Sequence, residues 1–251
     1  MTTMEKKIMS FSVAASLVLC VPQTASAMHI MEGYLPPAFC IAWGAVCIPF
    51  LAAGVIAIRR LVQQHRKSIL LLAMAGAFIF VISSLKIPSI TGSCSHMTGT
   101  GLGAILFGVS TTSVLGIIVL VFQALLLAHG GLTTLGANTF SMAIAGPLLA
   151  WGLYQAGKKL KLPKLFNVFL AAMLGDLLTY CVTSIQLALA SPSAEGGVWA
   201  SMVEFLAVFA PTQLPLAVIE GILTMLVMIG LETYAKTELH ELRSVKRGLF
   251  R

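Results

Sequence analysis

The stretch "GLGAILFGVSTTSVLGIIVLVFQALLLA", residues 101–128, decides the fold. It is apolar for most of its length, and at Gly108–Ser113 "GVSTTS" interrupts its middle with small and polar residues. One membrane span needs roughly 20 apolar residues; this run has about 28, and its polar middle makes it the candidate for a break. It reads as two half-length helices of about 14 residues, each rising roughly 21 Å against a hydrocarbon thickness of about 30 Å. Broken helices survive inside a bilayer when they are buried in protein or line a cavity.

Charge demands this break. Of 16 basic residues, Lys6 and Lys7 open the chain, and all the others but Lys86 fall in three places. Arg59, Arg60, Arg66 and Lys67 form the first cluster; Lys158, Lys159, Lys161 and Lys164 the second; Lys236, Arg243, Lys246, Arg247 and Arg251 the third. The positive-inside rule puts all three on the cytoplasmic side. Apolar segments run over 38–58, 68–85, 101–128, 138–156, 166–190 and 205–234. One span separates 59–67 from 86–100, so 86–100 is outside, and 157–164 is inside again. An odd number of crossings lies between them, yet only two segments are available. The broken run supplies the extra pass. The expectation is an all-α membrane protein of about seven transmembrane helices, with the mature N-terminus outside and the C-terminus in the cytoplasm. Residues 28–235 form one membrane domain, and 236–251 a cytoplasmic helical tail.

Composition agrees. The chain is 58% hydrophobic and 10% charged, with a mean hydropathy of +0.94; a soluble domain carries roughly 25% charged residues. The net charge of +7 sits in short runs between apolar segments, unlike the continuous basic face of a nucleic-acid binder. The five cysteines show no C-x-x-C spacing and read as buried membrane thiols, with Cys94, two residues from a histidine, set apart.

The first 27 residues have the three parts of a secretory signal: Lys6-Lys7, an apolar core over 8–21, and Ala25-x-Ala27 before the cut. Cleavage there leaves Met28 with a free α-amine on the outer face, followed at once by His29. Such a pair chelates. The amine and the His29 amide nitrogen close a five-membered ring on a metal; the amide and the imidazole Nδ1 close a six-membered one. Three nitrogens then lie in a plane, which suits Ni(II), Cu(II) or Co(II) better than tetrahedral Zn(II). The candidate fourth ligand is His96, at the centre of the Gly/Ser/Thr-rich outer loop "TGSCSHMTGTGLG", residues 91–103. Met31 and Met97 flank the two histidines, and their thioethers keep Cu(I) open. His65 and His240 read as solvated. His129 opens "HGGLTTLGAN" on the outer side and reads as a loop cap or a supporting group.

Two acids, Asp176 and Glu220, lie inside apolar segments, where an ionisable group is costly. They suit proton coupling, ion passage or hydrogen-bonded helix packing, and Glu220 could pair with Asp176. A self-sufficient cation channel or carrier built on them is the competing class of function. No H-E-x-x-H, G-x-S-x-G, Walker A or Rossmann glycine pattern is present, so nothing reads as an enzyme and ATP-driven work needs a separate subunit.

Three blocks, "MHIMEGYLPP" at 28–37, "SSLKIPSITGSCSHMTGTGLGAILFG" at 83–108 and "LLLAHGGLTTLGANTFSMAIAGP" at 125–147, resemble the CbiM family over essentially the whole mature chain. These are cobalt-specific substrate-binding subunits of energy-coupling factor transporters; the nickel subunits NikM are close relatives with the same Met-His start. The resemblance implies a six-helix core with one extra N-terminal helix, and capture of Co(II) by Met28, His29 and His96. It also implies a CbiQ-like coupling subunit, a CbiO-like ATPase and a small two-helix CbiN-like protein in the bacterial plasma membrane, with the cobalt feeding cobalamin synthesis. No prosthetic group is implied; the metal is cargo. This chain departs from the family in two places: Met97 stands where Pro usually follows the loop histidine, and Val109 where Pro usually follows Gly108. In "LLAMAGAF", residues 71–78, Ala73 and Ala77 form a small-residue face that resembles the family's contact with the coupling subunit.

Overall fold

The computed structural model describes residues 29–64, 66–88 and 94–249; the signal segment, Met28 and His65 lie outside the described residues. Among the described residues four helices are long and apolar enough to cross a membrane: α1 (Pro37–Gln64), α4 (Val109–Leu126), α7 (Lys164–Ala190) and α8 (Gly197–Tyr234). Three further passes complete the bundle. Helix α2 (Ser68–Ser84) is shorter but apolar. The third pass combines the loop 97–99 with a short helix, α3 (Thr100–Phe107). The fifth is a composite of α5 (Leu135–Asn138), a π-helix (Thr139–Ala145) and α6 (Gly146–Lys159). A last helix, α9 (Lys236–Leu249), follows Tyr234. The seven passes among the described residues satisfy the charge parity, and the protein is a multi-pass membrane protein.

The break in 101–128 sits at its polar interruption but divides the run unequally, into 8 and 18 residues rather than two equal halves. Gly108 makes the turn at φ +91°, a conformation that side-chain-bearing residues rarely adopt. The halves differ because the loop before α3 already dips inward: Gly99 lies against the Ile79 backbone, part way along α2. Only the remaining depth is left for α3, and every residue of α3 is buried. After the turn, α4 runs back as a full span, packed so tightly on α1 that a side chain at Gly54 would strike the Ser110 carbonyl.

The outermost helix is α1, whose Ile41 and Ile48 face outward, 73% and 63% exposed, as expected of a lipid-facing addition to a six-helix core. Lys86, the basic residue that falls outside the three clusters, reaches the Leu127 carbonyl at the end of α4, where a cation is favoured. At the opposite end Lys164 pairs with Glu232, tying the start of α7 to the end of α8. Helix α8 has 38 residues and carries Pro211 and Pro215. Around these prolines side chains bond to backbone carbonyls: the Tyr180 hydroxyl donates to Leu206 and the Thr212 hydroxyl to Phe209.

Candidate metal site

The described chain begins inside the protein. His29 and Ile30 are 2% and 1% exposed, although no regular element holds them. Asn138, the last residue of α5, clamps them. Its Oδ1 accepts the Ile30 N–H at 2.8 Å, and its Nδ2 donates to the Ile30 carbonyl at 3.0 Å. The Thr134 hydroxyl donates to the same carbonyl at 2.6 Å. Further along, Glu32 accepts the Thr133 N–H, and hydrogen bonding from Thr133, its side chain first and then its backbone, holds the Glu32 carboxyl below the usual range. A buried peptide unit left unpaired costs about 1–3 kcal/mol, so the clamp decides where this segment sits.

His96 arrives from the other side. A two-stranded hairpin, β1 (Lys86–Pro88) and β2 (Cys94–His96), pairs Lys86 with His96 and Ile87 with Ser95. The chain then plunges toward α3, with Ser95, His96 and Thr98 all fully buried. Helix α8 grips this loop at three points. The Thr212 and Ser95 hydroxyls bond at 2.7 Å; Gln213 Nε2 donates to the His96 carbonyl at 3.3 Å; and Glu220 accepts the Thr98 N–H at 2.5 Å and its hydroxyl at 3.0 Å. Gln213 also donates to Asp176 on α7 at 2.6 Å. Asp176 and Glu220, 44 positions apart in the chain, therefore meet behind the loop, where their carboxyl groups interact.

The two histidines face each other. His96 Nδ1 donates to the Met97 carbonyl at 2.8 Å, so its Nε2 is left with a lone pair. That Nε2 lies 2.5 Å from His29 Nδ1, and the ring centroids are 4.4 Å apart. A histidine whose second nitrogen is fixed by a carbonyl is the usual arrangement of a metal ligand. His129 joins them, 2% exposed, with its ring 4.6 Å from His29 and 5.0 Å from His96. The donor atoms of the three imidazoles lie within 4.8 Å of one another. Burial pushes the His96 imidazole down to about 4 and His129 to about 2; burial, with the His96 and His129 rings alongside, takes His29 well below the ordinary histidine range. All three are neutral at physiological pH, which is the form that binds metals.

Of the residues singled out from sequence, His29 and His96 are brought together, and Met28 lies outside the described residues. Met97 turns away into an apolar cluster with Ile82 and Leu216 and offers the site its backbone carbonyl. Nothing is described of the Cys94 side chain. The sequence reading gave Asn138 and Gln213 no role and ranked His129 as a loop cap. Asn138 and Gln213 each sit as an isolated amide within an apolar segment, and that was the available signal.

A family model described as "Cobalt uptake substrate-specific transmembrane region", CbiM, matches residues 29–237. The chain is 66% identical over 249 residues to "Cobalt transport protein CbiM" of Lachnoclostridium phytofermentans, covering 99% of this chain and all of that one. It is 61% identical over 211 residues to the protein of the same name from Chlorobium limicola, covering 84% and 83%. Two solved structures share the fold. One, described as a truncated transition metal transporter, matches with a TM-score of 0.70 at 28% identity over 82% of this chain and 99% of its own. The other, a transition metal transporter, matches at 0.69 and 29% over 82% and 92%.

Proposed function

The chain belongs to the CbiM family, and from that premise we propose that it captures Co(II) at the outer face of the plasma membrane as the substrate-specific subunit of an energy-coupling factor transporter. The observation that carries this reading is the convergence of His29 Nδ1 and His96 Nε2, both buried and neutral, with the His96 ring fixed by the Met97 carbonyl. Cleavage after Ala27 supplies the rest of the site: the Met28 amine and the His29 amide nitrogen complete a planar set of four nitrogens. The names of the relatives support cobalt as the cargo. The hydrogen bonds of Glu220 with Thr98, and of Asp176 with Gln213, favour a role in holding the His96 loop in place.

Energy comes from partners: a CbiQ-like coupling subunit, a CbiO-like ATPase and a CbiN-like small subunit, with the cobalt passing to cobalamin synthesis. Ala73 and Ala77 lie exposed on one face of α2, where small residues permit close helix approach, and form the contact with the coupling subunit. Ala73→Trp abolishes transport while leaving metal capture intact; unimpaired assembly and transport in that variant would exclude this contact.

The test of capture is intact mass and metal analysis of the membrane-extracted protein. The active form starts at Met28 and holds one cobalt ion. One Ala inserted between Met28 and His29 enlarges the chelate rings and abolishes tight binding. Tight binding by a full-length, uncleaved chain would overturn the site. Nickel is the second reading, because a planar nitrogen set also suits Ni(II); competition between the two ions decides.

A further inference from the structure

His129 is left over by the planar site, and its surroundings are costly to build. It sits between Ala128 at φ +46° and Gly130 at φ +77°. A non-glycine residue at positive φ is uncommon, and such strain persists where the surroundings over-determine it, often at ligand clamps. The His129 N–H is anchored to the Gln123 carbonyl at 3.1 Å, and Gln123 is itself held by Ser83 at 2.7 Å. Gly130 packs against His29 and Asn138, where a side chain would press on the clamp. All this delivers one imidazole to the site. Its Nε2 is fully buried and has no hydrogen-bond partner in the structure. A buried polar nitrogen without a partner is rare and calls for an explanation.

The ring orientations supply one. The His29 and His96 rings are tilted 31° to each other, whereas His129 stands at 74° to His96 and 53° to His29. We infer that His129 is a fifth, apical donor to the captured ion and that it tilts the choice toward cobalt. The inference rests on the planar nitrogen site proposed above. Any site of this kind holds Ni(II) more tightly than Co(II) unless geometry intervenes. In a planar nitrogen field low-spin Ni(II) pairs all its d electrons and gains little from an apical donor. Low-spin Co(II) has one electron fewer, leaving the orbital perpendicular to the plane half-filled and open to an apical lone pair. A third imidazole within reach of that axis therefore rewards cobalt selectively.

The test is electron paramagnetic resonance of the mature protein loaded with Co(II) under anaerobic conditions. The unpaired electron points along the apical axis, so one apical nitrogen splits each cobalt hyperfine line into a triplet. Wild type shows the triplets. His129→Phe, which keeps an aromatic ring and removes the donor, loses them, and its cobalt-over-nickel affinity ratio in competition dialysis falls by roughly tenfold or more. A wild-type spectrum with the planar signature but no triplets overturns this inference alone, and does so without the variant having to fold. Triplets and an unchanged ratio in His129→Phe overturn it as well. A His96→Ala protein that binds cobalt as tightly as wild type would instead overturn the planar site beneath it.

Discussion

His29 Nδ1 and His96 Nε2 lie 2.5 Å apart although the residues are 67 positions apart in the chain. Neither sits on a spanning helix. One is held by the clamp on Ile30, the other by the grip of α8 on the loop 95–98. Two independent supports therefore meet at one pair of nitrogens, and each can be removed separately.

His96→Ala removes a donor from a loop and leaves the helix bundle intact. The variant stays monodisperse, with an unchanged helical signal, and its Co(II) affinity by calorimetry falls by at least roughly tenfold, water taking the empty place. Unchanged affinity would shift attention to Met31 or Cys94 as ligands.

Asn138→Ala frees the segment around Ile30 without removing a metal ligand. The Ile30 N–H and carbonyl each lose a partner, which costs about 1–3 kcal/mol for buried groups and weakens binding by about tenfold. Limited proteolysis of the metal-free variant cuts within residues 29–36 sooner than in wild type.

Glu220→Ala deprives the Thr98 N–H and hydroxyl of their acceptor and lets the loop drift. The variant reproduces the weakened binding of His96→Ala and shifts the ligand-field spectrum of the bound cobalt, and the two changes combined are less than additive, as expected of groups acting through one element. Glu220→Gln keeps an acceptor oxygen and restores much of the wild-type spectrum. A spectrum unaltered in Glu220→Ala would assign the residue to helix packing alone.

The pH response follows from the depressed histidines. In the folded protein His96 titrates near 4, against an ordinary value of 6.5. Above pH 6.5 both folded and unfolded chains hold this ring neutral, and its contribution to stability is complete. As pH falls from 6.5 toward 4 the unfolded chain takes up the proton first, so stability declines through that window by up to about 3 kcal/mol. The melting temperature of the metal-free protein drops over this range, and His96→Ala flattens the profile. Cobalt binding at neutral pH releases about two protons, from the Met28 amine and the His29 amide, because the imidazoles have none to give. Calorimetry in buffers of different ionisation enthalpy measures that number.

The sequence by itself determined the class, the topology and the two facing histidines. Hydropathy marks the passes because the bilayer rejects unpaired backbone, and the basic clusters set orientation because they remain on the cytoplasmic side. The polar interruption at Gly108–Ser113, joined to the parity of those clusters, located the broken pass. Its unequal halves were invisible, since the depth reached by the loop at Gly99 depends on packing against Ile79 rather than on any local pattern. Tertiary structure alone decided the supports. Asn138, Gln213 and Glu220 act on groups at least 100 residues away in the chain: 108, 117 and 122 positions respectively. No periodicity records such pairings, because a hydrogen bond between distant segments leaves only an isolated polar residue in an apolar run. His129 was hidden for the same reason: its meaning lies in two rings that the chain brings beside it only when folded.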